Sequence, residues 1–332
     1  MKRRHLLSLL PAVALAPALR ATGQTPPSQH SPAPSPESGT QPPVSPPQSG
    51  AQSPPQPRPR VQRNAPRGFE ALPPIGMGTW LTFDIGDDPA QQEQRRQVLQ
   101  RFFAAGGGMI DSSPMYGNAE WLLGELLPGV PHQGKLFAAT KIWTPLEVLG
   151  RLQLERSLEL WRVPRFDVAL VHNLLNWRAH LKTLREWKDQ GRVRHIGIST
   201  SHAVANDEAA RIIRAEKLDV LQITYNFSDA SADSVMQLAA QRGLAVVINR
   251  PFDGGELFSR VGRRPLPEWA KDIDCASWAE FFLKWVIAHP AVTCAIPATK
   301  RPQHMDENMR AGTGRLPDAA MRRRMQALIA SV

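Results

Sequence analysis

From residue 75 onward, short apolar runs alternate with longer amphipathic stretches along the chain. The runs at 75–80, 109–112, 136–142, 167–172, 194–199, 218–225, 245–249 and 293–297 have the length of strands. Between them, helical periodicity covers 89–105, 119–127, 145–161, 178–190, 203–216, 231–242 and 277–289, and two more helices are expected at 303–310 and 318–330. Ala169, Leu170 and Val171 are apolar on consecutive positions, which suits a strand buried on both faces. In 231–242, Val235, Leu238 and Ala239 fall on one stripe at the helical period. Strict strand–helix alternation implies parallel strands joined by helical crossovers. Eight such units in about 250 residues predict an α/β fold closed as a (β/α)8, or TIM, barrel, ahead of an open sheet. An open doubly wound fold would need a glycine-rich phosphate turn that opens a helix. Gly106-Gly107-Gly108 precedes a strand instead, and reads as a helix stop.

The first 66 residues break this pattern. Residues 24–66 hold 14 of the 31 prolines among Ser, Gln and Gly, with almost no large apolar side chain. Such a segment cannot build a packed core and favours extended polyproline II, so 22–66 is expected to be a disordered spacer that can reach ~130 Å. Ahead of it, residues 1–21 carry Lys2, Arg3 and Arg4, then an apolar run from Leu6 to Leu19 and a small-residue cleavage site at Ala16-Pro17-Ala18. That is the layout of an export signal, and the adjacent Arg3-Arg4 pair resembles a twin-arginine signal. A bilayer-spanning helix needs roughly 20 apolar residues, and this run is shorter and broken by Pro11 and Pro17, so no stable membrane span is expected. The expected division is therefore 1–21 signal, 22–66 linker and 67–332 barrel. The net charge of +10 looks different once it is located: residues 1–66 account for +6 of it, leaving +4 on the barrel. Nucleic-acid binding wants a basic face, so it is not expected.

In a barrel of this kind, reactive groups sit at the C-terminal ends of strands. Asp111, Lys141 and His172 fall there on three successive strands, and Tyr116 follows Asp111 in the next loop. Any one of them has a bland explanation as a capping, solvated or hydrogen-bonded side chain. Together they make coherent chemistry. A phenol has a pKa of about 10, and a neighbouring ammonium is expected to lower it. A carboxylate holds that ammonium charged, and a neutral histidine can orient a carbonyl oxygen. The set could protonate an alkoxide as hydride reaches carbon.

With these residues in place, the chain resembles the aldo-keto reductases. The resemblance rests on GMGTW at 76–80, the run Asp111-Ser112-Ser113-Pro114-Met115-Tyr116-Gly117, ATKIW at 139–143, VH at 171–172, GRVRHIGIST at 191–200, QITYN at 222–226 and AIPATKRPQHMDEN at 295–308. It implies that Asp111, Tyr116, Lys141 and His172 form a catalytic tetrad acting with a nicotinamide dinucleotide. It also implies that Ser199 and Gln222 hold the nicotinamide carboxamide, with Thr200 where an asparagine is usual. Thr299, Lys300 and Arg301 would meet the adenosine phosphate, and Glu307 and Asn308 the adenine. Two cations suit a 2′-phosphate, so NADP(H) is expected ahead of NAD(H), although His304 stands where arginine is common. A solvated loop is the other reading of Lys300 and Arg301. Where the family brings an aromatic onto the nicotinamide, this chain has Asn249 and Arg250, with Phe252 nearby, and Arg250 is grouped with the cofactor-binding residues.

Trp80, Met115, Trp143 and Trp177 follow strand ends and could line an apolar mouth or pack the barrel rim. The glycine- and arginine-rich stretch 253–276 is either a cover for the pyrophosphate or a solvated loop. The chain stops soon after its last helix, so a more open site is expected than where a long C-terminal loop narrows it. The implied reaction is NAD(P)H-dependent reduction of an aldehyde or ketone to an alcohol, or its reverse; the rival is a non-catalytic nucleotide-binding barrel. Because folded, cofactor-loaded proteins travel by the twin-arginine route, the export machinery is an expected partner and the periplasm or exterior the expected location. A monomer is expected. Cys275 and Cys294 can pair after export, but Cys294 falls in the eighth strand, where packing is expected instead. No Cys/His spacing suggests a metal.

Overall fold

In the computed structural model, residues 58–62, 65–66, 68–132 and 134–332 are described. The signal and most of the expected linker lie outside the described residues. Eight parallel strands run in chain order: β1 (Met77–Gly78), β2 (Met109–Asp111), β3 (Phe137–Ile142), β4 (Phe166–His172), β5 (Val193–Ser199), β6 (Val220–Thr224), β7 (Ala245–Asn249) and β8 (Cys294–Ala295). Parallel bridges from Ile75 to Ala295 and from Gly78 to Ala298 join the last strand to the first. The sheet is thereby closed into the expected barrel.

The crossovers are α1 (Pro89–Ala104), α2 (Ala119–Leu126), α3 (Glu147–Trp161), α4 (Trp177–Asp189), α5 (Asn206–Ala215), α6 (Asp233–Gln241), α7 (Glu256–Val261) and α8 (Trp278–Ile287), followed by α9 (Pro302–Arg310) and α10 (Ala319–Ala330). Among the described residues, no helix is long and apolar enough to cross a membrane. Asp88 caps α1 by accepting from the amides of Ala90 and Gln91 before Pro89 fixes the first turn. Within 253–276, where no helix was expected, the chain forms the six-residue α7 and a 3-10 stretch at Glu268–Ile273. One turn or two is too short to show a period.

Alternate residues on a strand face opposite ways, and this parity builds the site. Met109, Phe137, Ala139, Val168, Leu170, Val220, Ala245, Val247, Cys294 and Ile296 form one buried cluster, joined by Phe69 and Leu72 from the segment before β1. Asp111 shares the parity of Met109, Lys141 that of Ala139, and His172 that of Leu170. The in-register pairs Asp111 with Ala139 and Lys141 with Leu170 step the reactive groups two residues further along each strand, while His172, Ser199 and Gln222 lie level.

Part of the expected linker belongs to the folded unit. Arg60 pairs antiparallel with Thr313, the Val61 amide donates to Gly312, and the Gly314 amide donates to Pro59. An extended segment has the right shape for such pairing, since proline leaves its carbonyl free to accept. Cys275 and Cys294 are both free and buried. Burial pushes each thiol up to about 12, which leaves them inert as packing residues.

Candidate active site

The β2 end places Asp111 among buried groups, where its carboxylate accepts from two sides. Lys141 Nζ donates to Oδ2 at 2.6 Å, and Gln222 Nε2 donates to Oδ1 at 2.8 Å. Lys141 is fully buried and also donates to the Ser112 carbonyl at 2.7 Å. Its Nζ lies 4.9 Å from the centre of the Tyr116 ring. The Tyr116 loop is fixed by a turn: Gly117 has φ +58°, and a Cβ there would collide with the Asp84 carboxylate. Asp84 in turn accepts from the Asn118 amide at 2.9 Å.

Burial lowers the Lys141 ammonium's tendency to hold its proton, but Asp111 and Tyr116 outweigh it, and the net direction is upward. Lys141 is charged. For Tyr116 the expected lowering is overturned. Burial raises its pKa more than Lys141 lowers it, with Asp111 adding to the rise. The phenol therefore keeps its proton near neutrality. His172 is pushed down to about 3, by burial first and then by the positive charges of Lys141 and His202. Its ring is neutral, and its Nδ1 lies 2.7 Å from Ser199 Oγ.

Tyr116, His172 and Asp111 line a cavity of about 520 Å³ at the strand ends. Trp80 and Met115 form part of its wall, as expected. Trp143 and Trp177 do not. The Trp143 side chain is exposed, and its backbone is tied to α3, the amide donating to Gln153 Oε1 at 2.9 Å and the carbonyl accepting from Gln153 Nε2. Trp177 is committed to the outer core, with Nε1 donating to Glu208 and the Arg178 guanidinium over its ring.

The residues grouped around a cofactor fall into two sets. Ser199 and Thr200 sit at the end of β5 and Gln222 in the middle of β6, all buried. Ser199 and Gln222 are engaged with His172 and Asp111, whereas buried Thr200 Oγ1 has no partner. Thr299, Lys300 and Arg301 precede α9, which carries Glu307 and Asn308. Lys300 and Arg301 are exposed, and neither forms an ion pair among the described residues. Asn308 is buried with its Nδ2 unpartnered. Buried polar groups are rarely left without partners. Among the described residues four such atoms occur, His132 Nδ1 and His180 Nδ1 elsewhere and two within the cofactor set, where they fit a polar ligand. Among the described residues no cluster of His, Cys, Asp or Glu is placed to hold a metal ion.

At the end of β7, Asn249 is no substitute for an aromatic: it ties three strands together. Its Oδ1 accepts from Thr224 Oγ1 at 2.7 Å, and its Nδ2 donates to the Thr200 carbonyl at 2.9 Å. Arg250 follows with φ +48° and lines the cavity beside Phe252 and Phe258. Asn173 and Ser201, which the sequence did not single out, also line it, the Ser201 hydroxyl donating to Asn173 Oδ1 at 2.9 Å. Their only signal was adjacency to His172 and Thr200. A second missed group is Glu120, buried on α2 behind β3. It accepts from Thr140 Oγ1 at 2.6 Å, Ser157 Oγ at 2.8 Å and Trp161 Nε1 at 3.1 Å, and burial pushes its carboxyl up.

Comparison with known proteins bears on this arrangement. A sequence model described as "Aldo/keto reductase family" matches residues 74–329. An uncharacterized oxidoreductase of Schizosaccharomyces pombe is 26% identical over 265 residues, covering 74% of this chain and 80% of the relative. The holo form of an aldo-keto reductase from Bacillus halodurans superposes with a TM-score of 0.66 at 19% identity, over 81% of this chain and 96% of that one. An aldo-keto reductase of Klebsiella pneumoniae, solved with NADP and acetate, gives 0.64 at 20% identity, over 81% and 96% of the two chains.

Proposed function

The chain belongs to the aldo/keto reductase family, and from that premise we propose that it reduces an aldehyde or ketone to an alcohol, or runs the reverse, with NADP(H). The observation that carries this is Lys141, bonded to Asp111 at 2.6 Å and 4.9 Å from the Tyr116 ring, beside a cavity that His172 also lines. Ser199, Thr200 and Gln222 would hold the nicotinamide end of the cofactor, which would supply hydride for the carbonyl carbon. Tyr116 holds the proton that the carbonyl oxygen needs, since its pKa is raised. Lys141 stabilises the phenolate left behind, and Asp111 keeps Lys141 charged and aimed. His172 is neutral, and the tautomer whose Nδ1 accepts from Ser199 Oγ carries a proton at Nε2 that would bond the carbonyl oxygen. Thr200 and Asn308 offer their unpartnered atoms to the cofactor.

NADP(H) is favoured over NAD(H) by exposed Lys300 and Arg301, and the Klebsiella relative solved with NADP supports the same choice. Replacing both residues by alanine should raise the Kd for NADPH by ten-fold or more and leave NADH within about two-fold, because charge-assisted hydrogen bonds are worth about 1.5–3 kcal/mol each. Fluorescence titration of the two cofactors reads this, and equal losses would reject the choice. We also propose that the protein acts as a monomer outside the cytoplasm, exported folded through the twin-arginine machinery. Support for export is Arg3-Arg4 ahead of a short, proline-broken apolar run.

A further inference from the structure

The turn that carries Tyr116 also carries a methionine. Met115 stands between Pro114 and the proton donor, and the backbone around it is fixed. The Tyr116 amide donates to the Ser113 carbonyl at 2.9 Å, the Ala119 amide donates to the Tyr116 carbonyl at 3.2 Å, and Ser113 itself is buried. Met115 and Tyr116 both line the active-site cavity, and Trp80 and Ile296 supply further apolar wall. A change of polarity at the Met115 sulfur therefore cannot be relieved by moving the turn without moving Tyr116.

Exposure sets this methionine apart. Among the described residues Met115 alone of the methionines is exposed, at 37%. The others are buried or, for Met321, packed against the core. Both thiols are also out of reach: Cys275 and Cys294 are buried, and burial keeps their protons on, so no thiolate competes. Two-electron oxidants such as peroxides take accessible thioethers and thiolates first. Among the described residues they meet one open sulfur, and it lies one residue from the phenol that holds the reacting proton.

We propose that Met115 is a modification site, at which a peroxide turns the thioether into the sulfoxide and thereby shuts out substrates with an apolar body until a methionine sulfoxide reductase restores it. This rests on the oxidoreductase reading above. The sulfur lone pair attacks one peroxide oxygen, the S–O bond forms as the O–O bond breaks, and the departing hydroxide takes up a proton and leaves as water. Sulfur loses two electrons and the peroxide gains them. The return step consumes two thiols, which end as a disulfide, while the sulfoxide oxygen leaves as water. Oxidation replaces a flexible apolar side chain by a polar one, so the cavity wall loses the contact that an apolar substrate body would make there. Thr200 and Asn308, which offer their unpartnered atoms to the cofactor, lie on other elements, so cofactor binding should not follow.

The test treats the full chain with graded hydrogen peroxide and follows each methionine by peptide mass spectrometry. Met115 should gain one oxygen about ten-fold faster than any other methionine of the described residues. In step with it, kcat/KM for 4-carbamoylbenzaldehyde should fall by about ten-fold or more through KM, with the Kd for NADPH within about two-fold. Methionine sulfoxide reductases of both epimer specificities, supplied with dithiothreitol, should return it. Met115→Leu, compared with its own untreated rate, should resist a dose that inactivates the native chain. Parallel inactivation of the two chains overturns the proposal, as does oxidation of Met115 no faster than of buried methionines, or a sulfoxide at Met115 with kcat/KM unchanged. If the untreated native chain turns over no aldehyde, the oxidoreductase reading fails by itself. Quenching of tryptophan fluorescence by the same aldehyde then decides: affinity that falls with oxidation of Met115 and returns with the reductases supports the proposal, and unchanged affinity overturns it.

Discussion

His172 shows how one residue links the reaction to stability. Its ring is held neutral, with a pKa of about 3 against an ordinary 6.5, because burial and the charges of Lys141 and His202 all oppose protonation. In the unfolded chain that opposition is gone. Between about pH 6.5 and 3 the unfolded state therefore binds a proton that the folded state refuses, and stability falls as pH drops, by roughly 1.4 kcal/mol per unit. Above pH 6.5 neither state is protonated and nothing is lost. His172→Gln should remove this slope, so that between pH 7 and pH 5 the variant loses about 2 kcal/mol less than the native chain. Urea midpoints at the two pH values measure it, and parallel losses would contradict the assignment. The position of His172 was legible because it ends a strand whose apolar residues are plain. Asn249 and Arg250 were not legible, since their roles depend on Thr224, Thr200 and Trp80, which lie on other elements.

At the scale of elements, strand parity carried the fold. Runs such as Val168 to Val171 could be read as strands, and the inward set led directly to the reactive ends. The strands expected at 75–80 and 293–297 are present but shortened. β1 and β8 are two residues each and join through single bridges, and α7 is too short to show a period. Trp143 could be read as lining the mouth or packing the rim, because sequence position past a strand end does not say which way the loop turns; it stays outside the cavity, and Gln153 holds its backbone. Glu120 was hidden for a different reason, as an acidic residue in a helix normally signals solvent. It joins α2 to β3 and α3 through three donors, next to the residue that bears the ammonium. Glu120→Gln keeps acceptors for Thr140 and Trp161, and the Ser157 hydroxyl can rotate to accept, so the loss should be small. Glu120→Leu strands all three donors at about 1–3 kcal/mol each. It should lower the urea midpoint several times more than Glu120→Gln, and similar losses would mean that the cluster holds nothing together.

For the whole molecule, the charge lies more in residues 1–66 than in the barrel, and the export proposal rests on residues 1–21. The barrel's share of the net charge is +4, and the remainder lies within residues 1–66. A route that reads charge alone should accept lysine at residues 3 and 4, whereas one that reads a guanidinium pair should refuse it. The Arg3→Lys, Arg4→Lys chain is expected to fold and bind NADPH but to stay in the cytoplasm, as cell fractionation would show. Its normal export would reject the twin-arginine proposal and leave the barrel's chemistry untouched.

In the proposed reaction Tyr116 gives its proton to a carbonyl oxygen, and Tyr116→Phe isolates that step, because only the hydroxyl is lost. NADPH binding by fluorescence and turnover of 4-carbamoylbenzaldehyde should be measured on the same preparation. The predicted result is a Kd within about two-fold of native and a fall in kcat of about 10²- to 10⁴-fold, the usual contribution of a general acid. A phenylalanine variant that kept more than about a tenth of native kcat would place the proton donor elsewhere.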